Sequence, residues 1–248
     1  MSDIMNGTII KSWRGLKPGI FLRRSNRFAG EVLVDGLKRY VHIPNPTTAK
    51  DLLKRGASTL VLPNPDGYKT GFRLIAVHTG KMWVSIDTTI PNDVFKLGVK
   101  SSLLHPFRGY RIVKENVRLG DSVIDFLLRK GEETVYVEVK SCSLVVRRVA
   151  LFPDAVTVRG TRQLIDLEKA SAAGAKTYMV WIIQRPDAIA LEPNHRKDPR
   201  FAKEMAKAKQ LGVRYLAYKC IFSGSFISLI GRVPVLIVPQ DDPASQIA

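Results

Sequence analysis

Cysteine is scarce in this chain: two thiols in 248 residues, Cys142 and Cys220. Each stands in an apolar, strand-like run, so both read as buried reduced thiols and not as the framework of a disulfide-built scaffold. Histidine is almost as rare. His42, His78, His105 and His195 are scattered without zinc-ligand spacing, so none reads as a metal ligand. Long apolar runs are missing too. The longest, Tyr178 to Ile183 and Val233 to Val238, fall far short of the roughly 20 residues a membrane span needs. The opening MSDIMNGTIIKSW carries no leader-like apolar stretch. There is no internal repeat, no low-complexity tract and no block of five or six like charges. A basic disordered tail is thereby excluded.

Acidic residues are the remaining deficit. Only 22 Asp and Glu oppose 39 Lys and Arg, a formal charge of +17 with a pI near 10.1, while 45% of residues are hydrophobic. Such a chain buries a core without metal or disulfide staples. Its surface attracts polyanions, because self-repulsion at this charge costs stability and calls for a reason. The expectation is a folded, cytoplasmic protein with no membrane partner. Per residue, the excess is denser over the first 90 positions.

The length allows one large domain or two small ones. Residues 18 to 90 read as short strands broken by turns. Gly19–Arg24 and Phe28–Val34 precede a tight Asp35-Gly36 turn, and Arg39–Ile43 completes a hairpin. A short helix is expected over Thr47–Arg55, with Thr48 as its cap and Gly56 as its stop. Ser58–Leu62 and Gly71–His78 return to strand. Three strands, a helix and two strands is the order of an OB-fold barrel, and such barrels bind oligonucleotides. Arg23, Arg24, Arg27 and Lys69 lie on or beside these strands and suit phosphate. Phe21, Phe28, Tyr40 and Phe72 read first as barrel core and second as base-stacking platforms.

After Pro91 the pattern changes. A helix over 92–99 precedes strand-like runs at Ser122–Leu128, Thr134–Lys140 and Leu144–Leu151. A helix over 156–173 follows, then the wholly apolar strand Thr177–Ile183, a basic helix over 198–211 and the strand Val213–Phe222. Strands alternating with helices predict an α+β chain with an α/β second part. The domain expectation is an OB-fold-like barrel over 1–85 and an α/β domain over 86–248, ending in a frayed DDPASQIA tail.

The stretch Asp121–Ser143 carries the chemistry. Tyr136, Glu138 and Lys140 alternate onto one strand face, and Val135, Val137 and Val139 onto the other. If Asp125 on the preceding strand registers beside Glu138, two carboxylates and an ammonium meet. Carboxylate oxygens suit Mg²⁺ or Mn²⁺, a bound ion activates water, and the lysine stabilises charge on a phosphoryl centre. This is the D…ExK arrangement of PD-(D/E)xK nuclease-like folds. Taken alone, the spacing also fits an exposed Glu138–Lys140 pair of little energetic weight.

The chain resembles the sugar fermentation stimulation protein family over nearly its whole length. The resemblance rests on FLRRSNRFAGEV, VHIPNP, TTIPND, DFLL, VYVEVKS, the late RPDAIALEPNHRKDPRFAKEMAKAKQLGV and, most specifically, LFPDAVTVRGTRQLIDL at Leu151–Leu167. It implies an N-terminal OB-fold and a C-terminal PD-(D/E)xK nuclease-like domain. It also implies binding to DNA without sequence preference, double-stranded by expectation, and a role in regulating sugar metabolism. Its metal core falls on Asp125, Glu138 and Lys140, with Glu115 near an upstream acidic position. Arg159 and Gln163 share a face of the following helix, in reach of phosphate. Asp154 either caps that helix or joins the site. The chain departs from the family pattern at His42–Thr47, at Val123 and at Arg162-Gln163. Two readings stay open, a DNA-binding module and a metal-dependent nuclease, with RNA or an anionic membrane surface as a weaker third.

Overall fold

The structure is a computed structural model describing residues 7–47 and 49–237. Thr48, expected to cap a helix, and the DDPASQIA tail lie outside the described residues. The strands are β1 (Thr8–Ser12), β2 (Lys17–Asn26), β3 (Ala29–Val34), β4 (Leu37–His42), β5 (Ser58–Pro63), β6 (Phe72–His78) and β7 (Trp83–Ser85). Helix α1 (Ile90–Lys100) leads to β8 (Arg111–Leu119), β9 (Ser122–Lys130), β10 (Glu133–Cys142), β11 (Val145–Val146) and β12 (Val149–Phe152). Then come α2 (Val158–Ala172), β13 (Lys176–Ile183), β14 (Ala190–Pro193), α3 (Pro199–Gln210), β15 (Arg214–Phe222) and β16 (Phe226–Val233).

Strands β2 to β6 close into the five-stranded OB-fold barrel. Hairpins join β2–β3–β4, β5 pairs with β2 and β6, and a parallel contact between β4 and β6 seals the wall. Asp35 and Gly36 both take left-handed φ, 51° and 75°, as the expected tight turn requires. The expected helix between β4 and β5 is replaced by turns. Leu52 and Leu53 both donate to Ala49 O, and the chain turns again at Gly56, too soon for a second helical turn. Leu52 instead packs into the barrel core with Phe21, Val41 and Leu74.

The larger part is the expected α/β domain, built on a seven-stranded sheet ordered β1-β16-β15-β13-β10-β9-β8. Strand β13 lies between β10 and β15, parallel to both, which explains its unbroken apolar run. Helix α1 covers one face and α2 with α3 the other, each face with its own core. No exposed linker separates barrel from sheet, because Ile75 and Ala76 of β6 are buried in the same core as Val94 and Phe95 of α1. The predicted strand 144–151 is a hairpin, β11–β12, that turns at Arg147 and Arg148 with φ of 46° and 70°. Sequence patterning gave no sign of β1, β8, β14 or β16. Strand β1 pairs with β16 at the edge of the large sheet and not with the barrel strands that follow it in the chain.

Candidate functional site

The β9–β10 ladder runs regularly from Glu133↔Lys130 to Val137↔Phe126 and then stops. The next two residues are Glu138 and Asp125. Val139 N donates to Asp125 Oδ2 at 2.8 Å, and Asp125 N donates to Glu138 Oε2 at 3.2 Å. Side-chain oxygens therefore take the place of main-chain carbonyls. On the other side of Asp125, Asn116 of β8 has a left-handed φ of 54° and the β8–β9 ladder skips that pair. Strand β9 also changes face here. Ile124 packs in the core beneath α2 and α3, whereas Phe126 packs beneath α1.

Lys140 completes the cluster. Its ammonium donates to Glu138 Oε1 and to Gln163 Oε1, both at 2.6 Å, and Gln163 Nε2 donates to Val123 O at 2.9 Å. From α1, Asn92 Nδ2 donates to Asp125 Oδ1 at 3.2 Å. Glu138 is only 2% exposed. Burial pushes its carboxyl up to about 7, with Lys140 opposing the rise and Asp125 adding to it.

These groups floor an open cleft of about 290 Å³. Pro46 and Thr88 form one wall, Thr157, Arg159 and Gly160 the opposite one. The barrel reaches this wall through the loop after β4, where Thr88 N and Oγ1 both donate to Pro44 O. Thr157 caps α2, accepting from Gly160 N at 3.1 Å. Asp154 is thus not the cap; it lines a separate, water-sized recess with Cys142 and Phe152.

The other sequence-predicted residues divide. Arg159 is exposed at the cleft mouth, and Gln163 is buried with its amide engaged by Lys140 and Val123. Glu115 sits opposite Phe126, exposed, with Lys96 Nζ 3.4 Å from its carboxylate, and does not line the cleft. Arg23 is paired with Glu31. Arg24 turns inward onto the carbonyls of Asn26, Arg27, Asn45 and Thr47. Arg27 lies over the Phe28 ring, and Lys69 is exposed on the β5–β6 loop. Of the four barrel aromatics, Phe21 is core, Phe72 is partly buried, and Phe28 and Tyr40 stand outside at 48% and 43% exposure. Phe28 and Lys69 share one barrel end, since the β2–β3 turn meets the end of β4, which pairs with the start of β6.

Sequence reasoning missed Asn92 and Asp198. Asn92 stands in the TTIPND stretch, so its segment was visible although its bond across 33 positions was not. Asp198 caps α3 through Phe201 N and also accepts from Thr157 N at 2.8 Å, which ties the cleft wall to α3.

Among the described residues no group of three or more His, Cys, Asp or Glu converges on one point. Two carboxylates beside an open cleft suit an ion that keeps much of its water, as Mg²⁺ does. No helix among the described residues is long and apolar enough to cross a membrane.

Residues 22–86 match the family described as SfsA N-terminal OB domain, and residues 89–225 match Sugar fermentation stimulation protein RE domain. The sugar fermentation stimulation protein homolog of Caldanaerobacter subterraneus subsp. tengcongensis is 38% identical over 220 residues, covering 88% of this chain and 96% of the relative. The homolog from Methanothermobacter thermautotrophicus is 36% identical over 201 residues, covering 81% and 84%. A solved structure of Pyrococcus furiosus SfsA in complex with Ca²⁺ superposes with a TM-score of 0.88 at 28% identity, covering 93% of this chain and 100% of that one.

Proposed function

From a chain that belongs to the sugar fermentation stimulation protein family, we propose a protein that holds DNA through its phosphates, without reading base sequence, and offers the backbone to a nuclease-like metal centre. One observation carries the reading: Asp125, Glu138 and Lys140 converge on the floor of an open cleft with Arg159 at its mouth. The +17 charge supports a polyanionic partner. A role in sugar metabolism would act through such binding.

Asp125 and Glu138 would hold Mg²⁺ or Mn²⁺; a relative's structure contains Ca²⁺, another cation that prefers oxygen ligands. When bound, such an ion supplies positive charge to a phosphodiester oxygen and acidifies a water. The chain's own residues prepare the rest. Asn92 fixes the Asp125 carboxylate, and Glu138 with Gln163 holds the Lys140 ammonium at the cleft floor, where it can stabilise charge on a phosphate. Arg159 can engage a phosphate with two donors at once. On the barrel, Phe28 and Tyr40 offer exposed rings to bases, in the manner of OB-fold binders.

Filter binding of duplex DNA across a salt series tests the reading. With about 6–10 phosphate contacts, affinity falls roughly 10³–10⁵-fold between ~50 and ~200 mM salt. Binding that ignores salt, or no binding at low salt, defeats it. A second reading, an active Mg²⁺- or Mn²⁺-dependent nuclease hydrolysing phosphodiester bonds, is favoured by the tight hold on Lys140. Plasmid and single-stranded DNA are incubated with Mn²⁺ and the full chain, then with Lys140→Ala. Cleavage lost in the variant supports the enzyme. Intact DNA with both proteins rejects it for those substrates.

A further inference from the structure

Val156 and Val158 are 70% and 72% exposed, more than any other large apolar residue described. They flank Thr157 at the lip of the cleft, next to Arg159. Two branched apolar side chains left in water add nothing to the fold. Nor is the lip loosely held. Thr157 N is bound to Asp198 Oδ2 at 2.8 Å, and Thr157 Oγ1 accepts from Gly160 N. Asp198 is itself buried, and its other oxygen caps α3.

That contact brings a second set of residues to the same lip. Arg196, Lys197 and Arg200 lie within two positions of Asp198 and are all exposed. Among the described residues, neither they nor Arg159 form an ion pair. Several barrel cations differ in this respect, with Lys17 on Asp35, Arg23 on Glu31 and Arg73 on Asp87. A fixed lip with two uncovered valines among four uncompensated cations fits a ligand that is apolar on its faces and anionic along its spine. Duplex DNA hides its base faces in the stack, whereas unpaired nucleotides expose them. Aliphatic side chains serve at base steps in proteins that open or kink nucleic acid.

We propose that this lip binds unpaired nucleotides. Val156 and Val158 pack against base faces, and Arg159, Arg196, Lys197 and Arg200 take the flanking phosphates. The cleft then receives a single-stranded or frayed segment in preference to intact duplex. The inference rests on the DNA-binding reading above and narrows its substrate class.

Fluorescence anisotropy with the full chain compares blunt duplex, forked duplex with unpaired arms, and single-stranded DNA. The wild type, Val156→Ser/Val158→Ser and Arg196→Ala/Lys197→Ala/Arg200→Ala are measured side by side, with circular dichroism to verify folding. The wild type is expected to favour the forked and single-stranded forms. The valine variant loses roughly threefold to tenfold affinity for those two and none for blunt duplex. The cation variant lowers the slope of log affinity against log salt by about 2. Equal wild-type binding to all three DNAs, with the valine variant unaffected, overturns this inference and leaves the DNA-binding reading standing. No binding of any DNA by the wild type overturns that reading as well. A change of oligomeric state in the valine variant, with DNA binding intact, assigns the lip to self-association and overturns the inference.

Discussion

Asp125 and Glu138 exchange backbone partners: the Asp125 carboxylate accepts from Val139 N, and the Glu138 carboxylate accepts from Asp125 N. The two residues that would carry the metal are therefore also the closure of the β9–β10 ladder. The proposed chemistry and the fold share the same two side chains, and substitutions at each separate the two roles.

Asp125→Ala leaves Val139 N without an acceptor in a buried strand. The expected loss is about 1–3 kcal/mol of stability, read as a lower urea midpoint at unchanged slope. Asp125→Asn keeps an oxygen for that donor and should lose less. An alanine variant as stable as wild type would show that the exchange is energetically idle.

Glu138→Gln keeps the shape and removes a charge that burial disfavours. Above neutral pH, where a carboxyl pushed up to about 7 is ionised, the metal-free variant should melt no lower than wild type. Its rise in Tm on adding Mn²⁺ should vanish, because ligand-linked stabilisation requires binding. Thermal melts with and without Mn²⁺ provide both readouts. A preserved Mn²⁺ shift would remove Glu138 from the metal centre.

Asp198→Ala strips the cap from α3 and the anchor from Thr157 in one step. A cap alone is worth roughly 0.5–2 kcal/mol, so the combined loss should reach the top of that range or pass it. Asp198→Asn, which retains an acceptor, should recover part of it. Guanidinium denaturation measures both variants.

Cys142 and Cys220 are buried, and burial pushes each thiol up to about 12. At pH 8 the thiolate fraction is negligible and the sulfurs are inaccessible. An aromatic disulfide reagent should therefore label neither thiol in the native protein and both in denaturant. Fast labelling of the native form would contradict the packing around β10 and β15.

Much of this architecture was legible in the sequence because it rests on local pattern. The apolar run of β13 required a central position, and the alternation around Glu138 and Lys140 put both on one face. The barrel order could be read from turn signals. What stayed hidden was set by distant contacts. Strand β8, RIVKENVRL, is an edge strand mostly in water and lacks a clear period. Strand β1 has only five residues, and its partner is nearly at the other end of the chain. The helix face of Gln163 predicts a phosphate contact, but its burial and its hydrogen bond from Lys140 depend on a partner 23 positions away. The charge of the first 90 residues looked like an open binding surface, yet several of its cations are committed to neighbouring carboxylates and carbonyls.

The pairing of β1 with β16 has a consequence for the order of assembly. Thr8–Ser12 leaves the ribosome long before its hydrogen-bonding edge, Phe226–Leu229, which follows roughly 200 residues later. The barrel has all its strands well before then and can close while β1 waits unpartnered. The large sheet is therefore finished by a clasp between early and late segments, a long-range step of the kind that slows folding. Ribosome-stalled chains halted before β16 should hold a formed barrel beside a sheet that is still open along one side.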